Sequence, residues 1–191
     1  MTGVVIPMND IDREKSAGFD FEYLMTVPQE KEALGDKHQT PGFGIGAQLF
    51  AMVAKAVIER LGKEEGERLL KDAVERFGRE RGRRIAAQVK AAGKPLTFKN
   101  WLIYTDIDTN RNFQVEPSIE DGDLVAKISN CTFYESAARW GLGDFANIYC
   151  TYVDYAILDG YNPDIKLILK QRGPSPQDCC VFRYIMKESN K

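Results

Sequence analysis

Histidine is almost missing from this chain: His38 is the only one in 191 residues. Ser-His-Asp and Cys-His machinery therefore has one imidazole at most, and a histidine-rich metal site is excluded. No stretch reads as the roughly 18 consecutive apolar residues that span a bilayer. Residues 1–13 lack the basic region and apolar core of a signal peptide. Neither sign of charge dominates, with 26 Lys and Arg against 28 Asp and Glu and a net charge of -2. That balance leaves no electrostatic footprint for nucleic acid or an anionic membrane. Four cysteines are present, without the short Cys-x-x-Cys spacings of structural zinc modules. The expectation is a cytoplasmic chain with reduced thiols. Its partner is a small-molecule substrate, not nucleic acid or membrane.

What is present has the length of one domain. Residues 1–40 read as an irregular leader, interrupted by Pro7, Gly18, Pro28 and Gly35. A short helix over 19–26 is the one regular element expected there. Residues 41–191 read as a single α+β domain. Phe43, Ala47, Phe50, Ala51, Ala54, Val57, Ile58 and Leu61 recur at steps of three and four, which predicts a helix ending at Gly62. This helix is apolar enough to pack against a partner, so a homo-oligomer is one arrangement open to the chain. A second helix follows over 64–92, with Leu70, Val74, Phe77, Ile85 and Val89 on its apolar side. Gly78 and Gly82 inside it each cost about 1 kcal/mol relative to Ala, so they mark a kink or a close helix contact. Thr97 can cap a short helix through Trp101 and Tyr104.

The second half changes period. Residues 112–119 and 123–129 alternate around Asp121-Gly122, a hairpin signal. Two helices follow, over 133–140 and 144–158. Ile165, Leu167 and Leu169 alternate as a strand. Gly173-Pro174-Ser175-Pro176 turns the chain, and Cys180, Phe182, Tyr184 and Met186 share a face of the last strand. Two hairpins and the intervening helices predict an antiparallel four-stranded sheet packed against helices, behind a helical N-terminal half.

Three cysteines fall on three different elements. Cys131 stands at the entrance of a helix, where free N–H groups and the dipole favour a thiolate. Cys150 lies on an apolar helix stripe with Ala146, Val153 and Ile157, and Cys180 opens the last strand. Each taken alone also fits a buried, inert thiol. If the three converge they could hold a thiolate-bound zinc, so the cofactor is either none or that metal. Cys179 must point away from Cys180. Asp154 is four residues after Cys150, one turn along the same helix face. Its apolar border would raise its pKa and suit it to general-base work; the plainer alternative is a solvated flank. Glu135 and Arg139 have the spacing of a surface ion pair. Arg183 could clamp a substrate carboxylate or face solvent. The run Arg76, Arg79, Arg81, Arg83 and Arg84 is interleaved with glutamates and reads as a solvated helix face. Gly42-Phe43-Gly44-Ile45-Gly46 follows no strand and lacks the lysine of a phosphate loop.

Several of these residues carry a resemblance. Asn130-Cys131-Thr132-Phe133 with Glu135, Tyr149-Cys150 with Asp154, Gly160-Tyr161-Asn162-Pro163, and Asp178-Cys179-Cys180-Val181-Phe182-Arg183 are similar to the motifs of the L-2-amino-thiazoline-4-carboxylate hydrolase family. Phe77-Gly78 and Gly82 within a long helix are similar too. The likeness covers about residues 45–186. The family's usual proline after the first cysteine is Thr132 here. The resemblance implies a hydrolase that opens a small cyclic amidine or related C–N ring to an N-carbamoyl product. It implies catalytic roles for Cys131, Cys150, Asp154 and Cys180, and substrate contacts from Arg183, Glu135 and Asn162. The C-terminal half also resembles vinyl-reductase-type domains, which implies a non-catalytic small-molecule-binding or sensory role instead.

Overall fold

The computed structural model describes Met25 and residues 27–34, 41–172 and 179–185. The chain divides into two compact units, Met1–Gln39 and Thr40–Lys191. In the first, the helix α1 spans Val27–Leu34. The sequence reading had no helix there, but Pro28 sits in its first turn, where a missing N–H leaves no bond unmade. The expected helix over 19–26 and His38 lie outside the described residues, apart from Met25, which is in a turn.

The second unit begins with α2 (Gly42–Leu61) and α3 (Lys63–Ala91). A single residue, Gly62, joins them at φ 81°, in the left-handed region that favours glycine. Then come α4 (Phe98–Tyr104) and α5 (Thr109–Asn112). Thr97 Oγ1 accepts a hydrogen bond from Asn100 N, as the capping signal predicts. The short α5 was not foreseen. It is capped by Asp108, whose side chain accepts from Arg111 N. The strands β1 (Gln114–Glu120) and β2 (Asp123–Ser129) form the first hairpin. The helices α6 (Thr132–Ala138) and α7 (Gly143–Tyr161) lead to β3 (Lys166–Lys170) and β4 (Cys180–Ile185).

The sheet is antiparallel throughout, in the order β1-β2-β4-β3. The α+β architecture expected from the alternation of periods is therefore what forms. Pro117 lies in β1, an edge strand, where its lack of an N–H is tolerated. Met186 and the turn at 173–176 lie outside the described residues.

Among the described elements, α3 and α7 share the most extensive contact. Their small residues explain it. A Cβ on Gly78 would lie 2.7 Å from Ala156 Cβ and 2.9 Å from Val153 O. A Cβ on Gly82 would collide with Ile157 O, and one on Gly160 with Arg79 O. The two backbones thus touch, and the close-contact reading of Gly78 and Gly82 is the one realised. α3 runs unbroken through both glycines. Val74, Ile85, Val89, Val153, Ile157 and Tyr161 are buried around this crossing. A second cluster forms where α2, α6 and α7 meet, from Ala47, Ala51, Phe133, Ala137, Leu142 and Ala146.

The average hydropathy of α2 is high although no run of consecutive apolar residues spans it. The helix is long and apolar enough to cross a membrane by length and composition, with a mean hydropathy of 1.3 over its best window. Counting consecutive apolar residues misses this, because Gln48 and Lys55 interrupt a run whose average remains high. In the fold, Ala47, Gln48, Ala51 and Ala54 are buried. Gln48 Nε2 donates to Ser136 O at 3.1 Å, which satisfies the buried amide.

Candidate functional site

The crossing of α3 and α7 decides which side chains meet. Arg79 and Arg81 lie on opposite sides of the glycine contact. Arg79 pairs with Glu75 at 2.9 Å and approaches Asp159 at 3.8 Å. Together with Lys71, Tyr152 and Tyr155 these residues line an open cleft of about 390 Å³. Its cations are all matched by carboxylates, and it holds no thiol. Arg81 points the other way, toward the part of α7 that carries Tyr149, Cys150 and Asp154. Its Nη1 donates to Tyr149 Oη at 3.2 Å, and its Nε and Nη2 donate to the two carboxylate oxygens of Asp106 at 2.9 and 2.5 Å. Arg76 and Arg84 bind acidic residues on their own helix and are solvated. The solvated-face reading therefore holds for them and fails for Arg81, whose side chain is only 17% exposed.

The three cysteines of the sequence argument do converge. Cys131 caps α6 and packs with Cys150 against the α2–α6–α7 cluster. Cys180 faces Ile128 across the β2–β4 ladder, one residue before the end of β2, the strand that leads into Cys131. Cys150 lies within electrostatic reach of Cys131, Asp154 and Cys180. Cys180 Sγ also accepts a hydrogen bond from Arg172 N at 3.4 Å.

Their ionisation differs from what the helix-entrance argument predicts. Burial pushes the Cys131 thiol above its usual range, although the amides of Tyr134 and Phe133 pull it down. Desolvation outweighs the pull of these amides, so the thiolate is not the resting form. Cys150 is pushed well up by burial and then by its neighbours Cys131, Asp154 and Cys180. Cys180 is raised by burial as well, against Arg172. All three are protonated thiols at neutral pH. For a thiolate-bound zinc, the placement of the ligands decides. Among the described residues, no group of three His, Cys, Asp or Glu is placed to hold a metal ion. The three thiols are therefore not arranged as a zinc ligand set.

Asp154 carries the perturbation the sequence predicts. Burial raises its pKa to about 6, opposed by the charge of Arg81. It is half-buried, and among the described residues no hydrogen bond reaches its carboxylate. Tyr149, pushed up to about 12 chiefly by burial and held down by Arg81, stands beside it. The Tyr149 ring stacks on Phe133 at 4.4 Å and packs edge-on to Phe50 at 5.5 Å. Tyr184 of β4, raised by burial and also by Asp154, closes the cluster from the sheet.

The remaining candidates lie elsewhere. Arg183 is on the opposite face of β4 from Phe182 and the thiols. Its guanidinium bonds Asp123 at 2.7 Å and lies 4.0 and 3.7 Å from Glu120 and Asp121. With three carboxylates around it, it stabilises the first hairpin and is not the clamp expected from the sequence. Asn162 is structural too. Its Nδ2 donates to Leu96 O at 2.7 Å and its Oδ1 accepts from Asp164 N at 3.0 Å. Glu135 is exposed on α6 and reaches the site only through its charge on Cys131. The expected Glu135–Arg139 pair does not form; Arg139 donates to Ser136 Oγ. Arg81, Tyr149, Asp106 and Tyr184 were missed as site residues. The signal for Arg81 was its place beside Gly82, since a residue next to a backbone contact has to lie close to the partner helix.

The model of the L-2-amino-thiazoline-4-carboxylic acid hydrolase family matches residues 42–184. The chain belongs to this family. The match takes in α2 through β4, and so every residue of the cluster from Arg81 to Tyr184. Comparison with curated proteins finds no match. In this hydrolase family member the arrangement offers a carboxylate titrating near neutrality, three neutral thiols, two phenols and the half-buried guanidinium of Arg81.

Proposed function

We propose that the protein is a hydrolase that opens a small cyclic amidine of the thiazoline-carboxylate type to an N-carbamoyl amino acid. The observation that carries this reading is Asp154: a half-buried carboxylate with a pKa of about 6, unbonded among the described residues, and flanked by Cys150, Cys180 and Arg81. A general base works best when its pKa lies near the working pH. The family to which the chain belongs supplies the substrate class.

In the reaction, Asp154 takes a proton from water as the oxygen attacks the amidine carbon. The bond from that carbon to the ring sulfur then breaks. Its electron pair stays on the sulfur, which receives the proton held by Asp154, while the second proton of the water passes to the ring nitrogen as the oxygen becomes the new carbonyl. One water is consumed for each ring opened. Cys131, Cys150 and Cys180 act as neutral donors that polarise the ring, because burial keeps their protons on. A thiolate attack is disfavoured for the same reason.

The test uses 2-aminothiazoline-4-carboxylate in water enriched in ¹⁸O. The expected product is the N-carbamoyl amino acid with one ¹⁸O in the new carbonyl. Asp154→Asn should lower turnover about 10²- to 10⁴-fold, the usual contribution of a positioned acid–base group. Full turnover in Asp154→Asn would overturn the mechanism. Tight binding with no product would favour a sensory module over a hydrolase.

A further inference from the structure

We infer that Arg81 is the anchor for the substrate's carboxylate and that Asp106 occupies it in the substrate's absence; this rests on the substrate class proposed above. The Arg81–Asp106 pair has the geometry of arginine binding any carboxylate, two parallel N–H···O bonds to its two oxygens. The two partners are held very differently. Arg81 belongs to the helix crossing, bonds Tyr149 Oη, and lies over the Phe77 ring at 5.6 Å. Asp106 lies in the short loop between α4 and α5 and is 38% exposed. Its carboxylate has no bond to another described residue. The cation is fixed and the anion stands at the solvent edge, so the anion is the partner that can be exchanged.

Position supports the same assignment. Asp154 senses the Arg81 charge, so a carboxylate seated on Arg81 brings its ring to the base. Arg183 cannot serve, since it is turned away and matched by Asp123, Glu120 and Asp121. The other arginine near the thiols, Arg172, lies over the Tyr134 ring at 4.5 Å and acts on Cys180 rather than on Asp154.

The experiment measures binding of 2-aminothiazoline-4-carboxylate and of its 4-carboxamide to the full chain by calorimetry, with turnover followed in parallel. The readout is the ratio of the two affinities. The unaltered protein should prefer the carboxylate. In Arg81→Gln that ratio should fall about tenfold to a hundredfold, the usual weight of a charged hydrogen-bonded pair. In Asp106→Asn it should rise severalfold, because the competing anion is gone. A structural salt bridge alone would lower stability in both variants and leave the ratio unchanged, which would overturn the inference. Loss of the preference in Arg172→Gln, or no binding of the carboxylate at all, would also overturn it. Should Arg81→Gln fail to fold, Asp106→Asn decides by the sign of its effect. A preference that depends on Arg81 without turnover would sink the hydrolase reading and keep the anchor. Turnover whose preference ignores Arg81 would do the reverse.

Discussion

Arg81 and Arg183 show how differently one residue type can be used in two regions of this molecule. Arg183 sits on a strand among Asp123, Glu120 and Asp121 and ties the β1–β2 hairpin to β4. Nothing about its surroundings calls for a ligand. Arg81 sits where two helices touch through glycine, bonded to a phenol and to one exchangeable carboxylate, within reach of a carboxylate that titrates near pH 6. The region around Arg183 is a solved electrostatic problem. The region around Arg81 is held in tension: among the described residues no hydrogen bond reaches the half-buried Asp154 carboxylate, and the thiols of Cys150 and Cys180 lie within its electrostatic reach. Fully matched charges stabilise a fold, whereas unmatched ones beside a cation make it reactive.

The largest effect should come from pushing α3 off α7. Gly82→Ala places a methyl group against Ile157 O, which must move. It should cost more than about 3 kcal/mol, the upper range of overpacking, and abolish turnover with it. Gly46→Ala provides the contrast. Nothing lies within 4 Å of its would-be Cβ on α2, so it should stabilise by about 1 kcal/mol through helix propensity. Denaturant midpoints of the two variants test the contact. Equal shifts would remove the crossing from the account.

A middle-sized effect concerns Asp154 and stability. Its folded pKa, about 6, is above the ordinary aspartate value of 3.8. Folding therefore favours the protonated form, and that stability is fully present below about pH 4 and lost as pH rises through 6. The loss is up to about 3 kcal/mol at pH 8. Asp154→Asn mimics the protonated form. It should match the unaltered protein at pH 4 and exceed it at pH 8, even as it loses activity. Melting temperatures at both pH values check this; a variant less stable at pH 8 would contradict it. The smallest effect belongs to Arg183→Gln. It should leave the KM for the carboxylate substrate unchanged, and a large rise in KM would restore Arg183 as the clamp.

The fold was largely legible because its signals are local. Period 3.6 in α2, α3 and α7, period 2 in the strands, and Asp121-Gly122 at the hairpin each report on neighbours in sequence. The pairing of Cys150 with Asp154 was legible for the same reason, as was the desolvation of Asp154 beside an apolar stripe. What sequence could not carry was which residues meet across elements. Alternation put Arg183 opposite Phe182, but three carboxylates awaited it there from β1, β2 and the turn between them. Asn162 looked like a ligand contact because its true partner, Leu96 O, is 66 residues away. Arg81 was hidden among four other arginines, and only the collision that a side chain at Gly82 would cause marks its surroundings as crowded. The Cys131 thiol was misjudged in sign because the helix entrance is visible in sequence and the depth of burial is not.

The central claim is that an ionised Asp154 activates water among protonated thiols. The pH dependence of kcat/KM on 2-aminothiazoline-4-carboxylate tests it most directly. The account predicts a rise through an apparent pKa near 6 followed by a plateau to at least pH 8, with the inflection absent from the residual activity of Asp154→Asn. A profile that climbs only above pH 8, where a thiol ionises, or an inflection near 6 that survives in Asp154→Asn, would contradict it.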